Sequence, residues 1–318
     1  MTGDRSALLA DIGGTNARFA LSTGQGIEQE QVLACAGFAS LEEAARAYLQ
    51  STGARPATGA FAVASPITGD TVRMTNLPWA FSIEAVRRSL GLERLDVIND
   101  FTAVALSIPH LVPADLVQIG SGTARAGLPI GIIGPGSGLG VSALVPGPRG
   151  WMALASEGGH VTLPAVTDRE AAVIARLRAD HGHVSAERLV SGPGLVALYE
   201  TLAALDRETP ATACEAAAIS KAALAGGDPL ARQALSMFCA LLGTLAGNLA
   251  LTLGALGGVY IAGGIVPRFV DFLAASEFRH RFTAKGRMST YLEPVPTFVV
   301  THKLPALVGL RARLAEQG

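Results

Sequence analysis

Two short segments combine glycines with a hydroxyl side chain between apolar runs. Gly13 and Gly14 precede Thr15, and residues 134–140 hold several glycines around Ser137. Backbone N–H groups in such a turn form a nest for phosphate oxygens, and glycine lets the chain approach a ligand closely. The Walker A and Rossmann glycine patterns are absent. One glycine hairpin is typical of an ordinary turn, whereas two matched ones fit a hairpin-type phosphate clamp and ordinary turns equally well.

Two aspartates lie where predicted strands end. Asp11 is at the end of the apolar run 7–12, and Asp100 follows the run 95–99. Ligand sites of α/β sheets lie beyond the carboxyl ends of strands. Asp11 is placed to orient Mg²⁺ through water, because Mg²⁺ keeps several of its waters. Asp100 has two interpretations: a reactive carboxylate, or the cap of a helix that starts at Phe101.

A further polar segment lies in the second half of the chain, where Glu157 and His160 enclose two glycines. An acid and an imidazole suit a ligand with many hydroxyl groups, since a carboxylate accepts hydrogen bonds from more than one hydroxyl. A single histidine in such a loop is more often structural, and His183 and Glu187 have the ordinary interpretation of a solvated helix start. No HExxH spacing indicates a metal cage, and no GxSxG elbow indicates a serine hydrolase.

Apolar runs and turn residues predict that strands and helices alternate. The predicted strands cover 7–12, 17–21, 59–64, 95–99, 129–133, a segment from 141, 259–261 and 297–301. The predicted helices cover about 41–51, 83–90, 101–108 and 168–180. A further helix begins at 229, and the last covers 304–316. Ser40 with Glu43, and Thr167 with Glu170, have the spacing of capping boxes.

Residues 8–21 and 130–144 share one plan: an apolar strand, a glycine turn with a hydroxyl, and a second apolar strand. The two segments fall in different halves of a chain of 318 residues, a length that suits about two domains. We therefore predict an α/β protein with a mixed sheet in each of two related domains, which face each other across a cleft.

Composition excludes several classes of protein. Lys and Arg number 25 and Asp and Glu 26, so the net charge is −1, which argues against nucleic acid or a membrane surface as the main partner. Charged residues make up 16% and hydrophobic residues 49%, which excludes extensive disorder. Cys35, Cys214 and Cys239 contain no CxxC pair, so they are expected to be reduced thiols in a cytosolic protein.

The mean hydropathy is +0.38, and residues 233–267 carry no charged side chain. A window of that run has the composition of a membrane span, and Gly243 and Gly247 have the spacing of membrane helix pairs. Polar residues and glycines interrupt the run, and no basic cluster flanks it. We therefore predict a buried helix followed by a buried strand, and no signal peptide at the N-terminus.

Together these segments resemble the bacterial glucokinases of the hexokinase group, within the actin-like ATPase (ribonuclease H-like) superfamily. The resemblance runs nearly end to end, through ADIGGTNARFAL (10–21), SPITGD (65–70), MTNLPWAFS (74–82), INDFTAVALSIP (98–109), GPGSGLGV (134–141), SEGGHV (156–161), HVSAERLVSGPGL (183–195) and GGVYIAGGIVPRF (257–269). It implies two actin-like domains with mixed sheets: a small one from 1–109 plus the C-terminal helix 301–318, and a large one from 110–300. Residues 304–308 depart from the family pattern, which bears on the start of the last helix.

The resemblance also implies which residues bind which ligand. Those implied to hold ATP are Ala10, Asp11, Ile12, Gly13, Gly14, Thr15, Gly136, Ser137, Gly138, Gly263 and Gly264. Those implied to bind the sugar are Asn99, Asp100, Glu157, His160 and Glu187. Asp100 is further implied to be the catalytic base, and Asp11 to orient Mg²⁺ through water.

The activity implied by the resemblance is ATP-dependent phosphorylation of glucose at the 6-hydroxyl, the first step of glycolysis, with ATP and Mg²⁺. It implies a cytoplasmic homodimer with no nucleic-acid or membrane partner. A kinase for another hexose, such as mannose or fructose, stays open, as does polyphosphate as the donor. A sugar-sensing regulator is disfavoured, because the first strand begins by Ala7 and leaves no room for an N-terminal helix-turn-helix.

Overall fold

The computed structural model describes residues 6–148 and 150–317. The chain divides into two compact units: the first is drawn from Met1–Leu111 and His302–Gly318, and the second from Val112–Thr301. Each unit has its own mixed sheet and its own hydrophobic core. The predicted α/β class, with one mixed sheet in each half, is confirmed.

The strands, in chain order, are β1 (Ala7–Ile12), β2 (Asn16–Ser22), β3 (Ile27–Ala34), β4 (Thr58–Val63), β5 (Thr71–Arg73), β6 (Ala80–Ser82), β7 (Arg94–Asn99), β8 (Leu116–Ile119), β9 (Ile130–Pro135), β10 (Leu139–Gly147), β11 (Gly150–Ser156), β12 (Val259–Ile261) and β13 (Thr297–Val300). The α-helices are α1 (Leu41–Thr52), α2 (Ile83–Ser89), α3 (Asp100–Ser107), α4 (Asp168–His181), α5 (Ala186–Leu189), α6 (Gly192–Asp206), α7 (Ala216–Ala225), α8 (Pro229–Leu253), α9 (Val270–Ala275), α10 (Phe278–Thr283), α11 (Ser289–Leu292) and α12 (Pro305–Gln317).

The first unit is built on a five-stranded sheet with the order β3-β2-β1-β4-β7. Strands β1 and β2 form an antiparallel hairpin, whereas β1, β4 and β7 run parallel. Strands on both sides and the core cover β1, so all of its residues are buried except Asp11, which is half-buried. The carboxyl ends of the three parallel strands therefore lie at one edge of the sheet.

The C-terminal helix α12 returns to the first unit and packs across α3. The crossing is close at Gly309, where a Cβ atom would overlap the carbonyl oxygen of Ala103 and lie 3.0 Å from the Ser107 nitrogen. Pro305 occupies the first position of α12, a place that suits its fixed φ angle. A glycine at residue 309 thus permits the contact between the two helices.

The second unit contains a six-stranded sheet with the order β11-β10-β9-β12-β13-β8. Strands β9, β12 and β13 are parallel, and β9 and β10 form an antiparallel hairpin. Both predicted glycine hairpins, one in each unit, are confirmed. The second turn is shorter than predicted, since β9 continues to Pro135 and β10 already begins at Leu139.

Helix α8 begins at Pro229, and Asp228 caps it by accepting a hydrogen bond from the Ala231 N–H, as predicted. Within the described residues it is the one helix long and apolar enough to span a membrane, and 78% of its most apolar window is buried in the fold. A Cβ atom at Gly243 or Gly247 would overlap a carbonyl oxygen of α10. The glycine spacing therefore serves helix packing within the unit, and the predicted buried helix is confirmed.

The two predicted capping boxes differ in outcome. Thr167 and Glu170 form a complete box at the start of α4. Ser40 accepts a hydrogen bond from the Glu43 N–H at 3.2 Å, but the Glu43 carboxylate accepts from the Ala39 N–H instead of that of Ser40. The capping box predicted at α1 is therefore only half formed, because the N–H that Glu43 accepts from lies one residue before Ser40.

Candidate active site

The first glycine turn joins β1 to β2. The Gly13 N–H donates to the carbonyl of Asn16 at 3.0 Å, which closes the turn, and Thr15 is exposed. The Thr15 carbonyl accepts from the Cys35 N–H at 2.9 Å, so the turn is also tied to the end of β3. Gly14 lies against the Asn76 side chain. The turn presents backbone and a hydroxyl to solvent at the carboxyl end of β1.

Asp11 lies just before this turn and pairs with Arg18 across the hairpin. The Arg18 Nη1 donates to Asp11 Oδ2 at 3.1 Å, and the Asp11 side chain is 17% exposed. Burial raises the pKa of Asp11, and the charge and hydrogen bond of Arg18 oppose that rise. Arg18, the ion-pair partner of Asp11, was not among the residues predicted from the sequence. Its place opposite Asp11 follows from counting outward from the turn, where Ile12 pairs with Ala17.

Asn99 ends β7 and caps α3. Its Oδ1 accepts from the N–H groups of Phe101 at 2.9 Å and Thr102 at 3.1 Å. Its amide nitrogen lies 3.4 Å from the carbonyl oxygen of Ser65. One N–H of the amide is thereby directed at Ser65, so the second N–H is the donor that Asn99 has for a ligand.

Asp100 is the first residue of α3 and not its cap. Its Oδ1 accepts from the Phe101 N–H at 2.8 Å, a donor it shares with Asn99. The capping interpretation therefore belongs mainly to Asn99. Ile12, at the end of β1, is in register with Val63, and Val63 with Asn99. Asp100 thus follows the same edge of the sheet as the first glycine turn.

The second glycine turn joins β9 to β10 in the second unit. The Gly136 N–H donates to the Gly138 carbonyl at 2.7 Å, and the Gly136 carbonyl accepts from the Gly192 N–H at 2.8 Å. Ser137, at the tip, is exposed. The N-terminus of α6 is thereby attached to the turn, which places the positive end of that helix beside it.

Glu187, on the short helix α5, touches the second turn directly. Its Oε2 accepts from the Leu139 N–H at 2.8 Å. A Cβ atom at Gly138 would overlap the same oxygen, whereas one at Gly136 would meet nothing within 4 Å. Glycine at 138 is therefore required by the approach of the Glu187 carboxylate, a contact that no local sequence pattern indicates.

Glu157 and His160 flank a single 3-10 turn that follows β11. The His160 N–H donates to the Glu157 carbonyl at 3.0 Å, and the two side chains are both 58% exposed, with Nε2 and Oε2 3.9 Å apart. A Cβ atom at Gly159 would overlap the carbonyl oxygen of Leu139. This polar loop is thus packed against the strand that leaves the second glycine turn.

Backbone hydrogen bonds also join the polar loop to the segment that carries Glu187. The Leu163 N–H donates to Val184 at 3.0 Å, and the Ala186 N–H to Val161 at 2.8 Å. His183 lies 3.1 Å from the Thr162 hydroxyl, which agrees with a structural role for that histidine. The second unit therefore connects the loop of Glu157 and His160 to the helix of Glu187, although 30 residues separate the first from the last.

Gly263 and Gly264 follow β12, which runs parallel to β9. Gly263 has a φ angle of +88°, a conformation that favours glycine, and a Cβ atom there would overlap the carbonyl oxygen of Pro135. The turn after β12 therefore lies against the end of β9. In the second unit, Gly263 and Glu187 lie against residues 135–139, and the loop of Glu157 and His160 packs against Leu139. The predicted site residues of the first unit lie at the carboxyl ends of β1 and β7.

Each unit thus carries a β-hairpin that turns on glycines and a hydroxyl at the end of a buried strand, with carboxylates beside it. The fold is the actin-like, ribonuclease H-like one of phosphoryl-transferring enzymes, and both hairpin turns offer backbone donors that suit this chemistry. The family model described as "Glucokinase" matches residues 8–317. The chain belongs to the glucokinase family.

Similar proteins agree with this assignment. A glucokinase of Paramagnetospirillum magneticum is 53% identical over 307 residues, which cover 95% of each chain. The chain is 49% identical to a protein of Paraburkholderia xenovorans named "Bifunctional protein glk", of which it spans 49% of the length. The crystal structure of a glucokinase from an Antarctic psychrotroph has a TM-score of 0.86 and 41% identity, with 98% of this chain and 99% of that chain covered.

Proposed function

We propose that this protein transfers the γ-phosphoryl group of ATP to the 6-hydroxyl of glucose, giving glucose 6-phosphate and ADP, the first step of glycolysis. The observation that carries the proposal is the common edge of β1 and β7. Because β1 and β7 end at that edge, the proposed base Asp100 and the proposed phosphate turn both follow the same end of the sheet, which supports the proposal. The family match covers both features.

The two glycine turns are the proposed phosphate sites. The first comprises the backbone from Ala10 to Thr15, and the second comprises Gly136, Ser137 and Gly138. Exposed hydroxyls at both tips and backbone N–H groups are the donors that such oxygens need. We assign the adenosine to the neighbourhood of Gly263 and Gly264, since that turn lies against the end of β9.

Magnesium fits the first turn by the chemistry of its donors. Asp11 offers hard carboxylate oxygens, and Mg²⁺ is usually held by one or two carboxylates together with substrate phosphates and waters. Because Asp11 Oδ2 already accepts from Arg18, we propose that Asp11 orients the ion through water. An ion held there would neutralise negative charge on the phosphoryl group that is transferred.

The sugar is assigned to Asn99, Asp100, Glu157, His160 and Glu187. Carboxylates suit it because each accepts hydrogen bonds from more than one hydroxyl, and Asn99 supplies an N–H. A site with such acceptors rejects a sugar that lacks the matching hydroxyl, because the acceptor is left without a partner. This chemistry favours one hexose over its epimers.

Asp100 is the proposed base. Its carboxylate accepts the proton of the 6-hydroxyl while that oxygen attacks the γ-phosphorus in line. The new bond joins the sugar oxygen to phosphorus, the bond to the β,γ-bridging oxygen breaks, and ADP leaves with that oxygen. Phosphoryl transfer depends on positioning and charge neutralisation more than on covalent help. The placement of Asp100 at the start of α3, under the Asn99 cap, holds the base in position.

We further propose that the two compact units correspond to the predicted domains 1–109 plus 301–318 and 110–300, in a cytoplasmic homodimer. Free thiols at Cys35, Cys214 and Cys239 support a reducing compartment. The dimer is supported by the edge strand β11, which exposes Met152 and Leu154 and has no charged residue in its length. Analytical ultracentrifugation measures the oligomeric state.

The decisive experiment is ATP-dependent phosphorylation of glucose, mannose, fructose and N-acetylglucosamine, with Mg²⁺ present and with a sugar-free control. We expect strong preference for glucose and slow ATP hydrolysis without sugar. If only another hexose were phosphorylated, the proposed substrate would be wrong, whereas the proposed phosphoryl transfer would stand. Glucose binding with no turnover on any sugar would contradict the kinase function and favour a sensor.

A further inference from the structure

Glu187 contacts the second glycine turn at the place where an anion is expected to bind. The Leu139 N–H points at Glu187 Oε2 over 2.8 Å, and the same oxygen fills the space beside Gly138. N–H groups in such turns are suited to phosphate oxygens, and a carboxylate oxygen has the same charge sign and hydrogen-bonding capacity. In this structure the carboxylate of the protein itself is the anion on the turn.

We infer that Glu187 acts as an internal competitor of the nucleotide phosphates, and that the sugar releases it. This inference rests on the proposed function, in which Glu187 binds a sugar hydroxyl. Without sugar, the carboxylate occupies the Leu139 N–H and places a negative charge beside the phosphate turn. A phosphate oxygen must then displace a like charge, which lowers the affinity of the turn for ATP.

A bound sugar changes this balance. Its hydroxyl donates to the Glu187 carboxylate and competes with the Leu139 N–H for the same oxygens. As the carboxylate turns toward the sugar, the Leu139 N–H becomes available to a phosphate oxygen. Sugar and nucleotide therefore bind with positive coupling, and linkage requires that each raises the affinity of the other by the same factor.

Several features make Glu187 suited to this role. It is half-buried, so its charge is only partly screened by water. Its helix α5 is bound through the Ala186 N–H to Val161, in the loop that carries His160. The segment of the proposed sugar ligands and the phosphate turn are thus connected through one side chain, and Gly138 leaves the space that the side chain needs.

The test is the affinity of the non-hydrolysable analogue AMPPNP, with Mg²⁺, measured by calorimetry with and without glucose. Glu187→Gln removes the charge and keeps an oxygen for the Leu139 N–H. We expect this variant to bind AMPPNP more tightly without glucose, by about 5-fold or more. We also expect it to bind glucose more weakly, and glucose to enhance AMPPNP binding far less than in the wild type.

Glu157→Gln is the matched control, because Glu157 is a proposed sugar ligand whose exposed carboxylate lies beside His160 and not on the turn. This variant should bind glucose more weakly than the wild type, but it should bind AMPPNP with the wild-type affinity when glucose is absent. At saturating glucose, its AMPPNP affinity should rise by the same factor as that of the wild type. If Glu187 only supported the structure of the turn, Glu187→Gln would instead lower the affinity for both AMPPNP and glucose. Opposite signs for the two ligands distinguish release of an anion from loss of support.

A measurement on the unchanged chain covers the case in which the variant does not fold. The amide proton of Leu139 is expected to move upfield in the NMR spectrum when glucose alone is added, since it loses a carboxylate acceptor. An unmoved Leu139 signal, or AMPPNP binding that Glu187→Gln leaves unchanged or weaker, would overturn the inference. Absence of glucose phosphorylation by the wild type would instead overturn the proposed function, so the two failures are distinguishable.

Discussion

Arg313 on the last helix donates from Nε to Asp96 Oδ2 on β7 at 2.7 Å, across 217 residues of sequence. The two side chains are 36% and 21% exposed. The same helix touches α3 at Gly309, beside the carbonyl of Ala103. The C-terminal helix therefore holds both elements that flank Asp100, the strand before it and the helix that it begins.

Replacement of Asp100 by alanine removes the group proposed to accept the proton of the sugar hydroxyl. We expect kcat to fall by about 10²–10⁴-fold, the usual contribution of a general base, with a much smaller change in the KM for glucose. Steady-state kinetics with a coupled assay measures both. Asp100→Asn, which keeps an oxygen for the Phe101 N–H, should lose as much. Near-normal turnover of either variant would show that another group is the base.

Replacement of Gly309 by alanine adds a methyl group where the carbonyl oxygen of Ala103 lies. We expect α12 to shift from α3 and the free energy of unfolding to fall by about 1–3 kcal/mol, the usual cost of overpacking. Urea denaturation measures the change. Gly24→Ala is the control, because its Cβ atom would meet nothing within 4 Å. Equal losses in the two variants would argue against a close helix crossing.

Glu170 and Arg281 form a buried ion pair between α4 and α10. The Nη1–Oε1 and Nη2–Oε2 distances are 2.7 and 3.1 Å, and the Glu170 and Arg281 side chains are 3% and 8% exposed. Burial raises the pKa of Glu170, but Arg281 and the N–H groups of Val166 and Thr167 outweigh it and hold the pKa below its ordinary value. Because the pKa of Glu170 is lower in the folded than in the unfolded chain, its charged form stabilises the fold at pH values above the unfolded pKa. This stabilisation is lost as the pH falls through the folded pKa.

Arg281→Met should therefore lower the free energy of unfolding by about 3–5 kcal/mol at neutral pH, since it leaves a buried charge without its partner. Urea denaturation at several pH values tests this. As the pH falls from about 7 to about 4, the gap to the wild type should narrow, because the lone Glu170 accepts a proton in the folded state. A double variant with Glu170→Gln should recover part of the loss. A gap independent of pH would contradict the role of the pair.

The pKa of Lys285 lies well below its ordinary value. Burial, with the charge of Arg281, lowers that pKa to about 8, while its Nζ donates to the Thr244 carbonyl at 3.0 Å. Between this pKa and the unfolded value of 10.5, the unfolded chain binds a proton that the folded chain does not. The free energy of unfolding should therefore rise with pH in that interval, by at most about 1.4 kcal/mol per pH unit.

Lys285→Met should remove this slope and be more stable than the wild type at neutral pH, because the wild type buries a charge there. Urea denaturation of both proteins at intervals between about pH 7 and pH 9.5 isolates the contribution, since other groups titrate alike in the two chains. The difference between them should shrink as the pH rises. A constant difference would show that Lys285 keeps its ordinary pKa.

Much of the fold could be predicted from neighbours in the chain. A glycine turn between apolar runs reverses a strand, and Thr167 or Asp228 satisfies an N–H three residues on, so both hairpins and these helix starts were expected. Strands β3 and β11 were not, because they lie at sheet edges and expose many of their residues, which weakens the apolar pattern.

The candidate site divides in the same way. Its residue types and the resemblance of its motifs were available from the sequence, and so was the chemistry they offer. The cap of α3 was not, because Asn99 and Asp100 are adjacent and only the backbone angles at the end of β7 select Asn99. Those angles depend on how the strand is held in its sheet.

Partners far apart in the chain were decided by tertiary structure alone. Leu139 and Glu187 are 48 residues apart, Glu170 and Arg281 are 111 apart, and Asp96 and Arg313 are 217 apart. No local propensity specifies such pairs, because they form only when whole elements pack. The sequence by itself determined the turns, the buried strands and the carboxylates available for chemistry. Only the packing of each unit decided that Asp96, Glu170 and Glu187 meet donors far away in the chain.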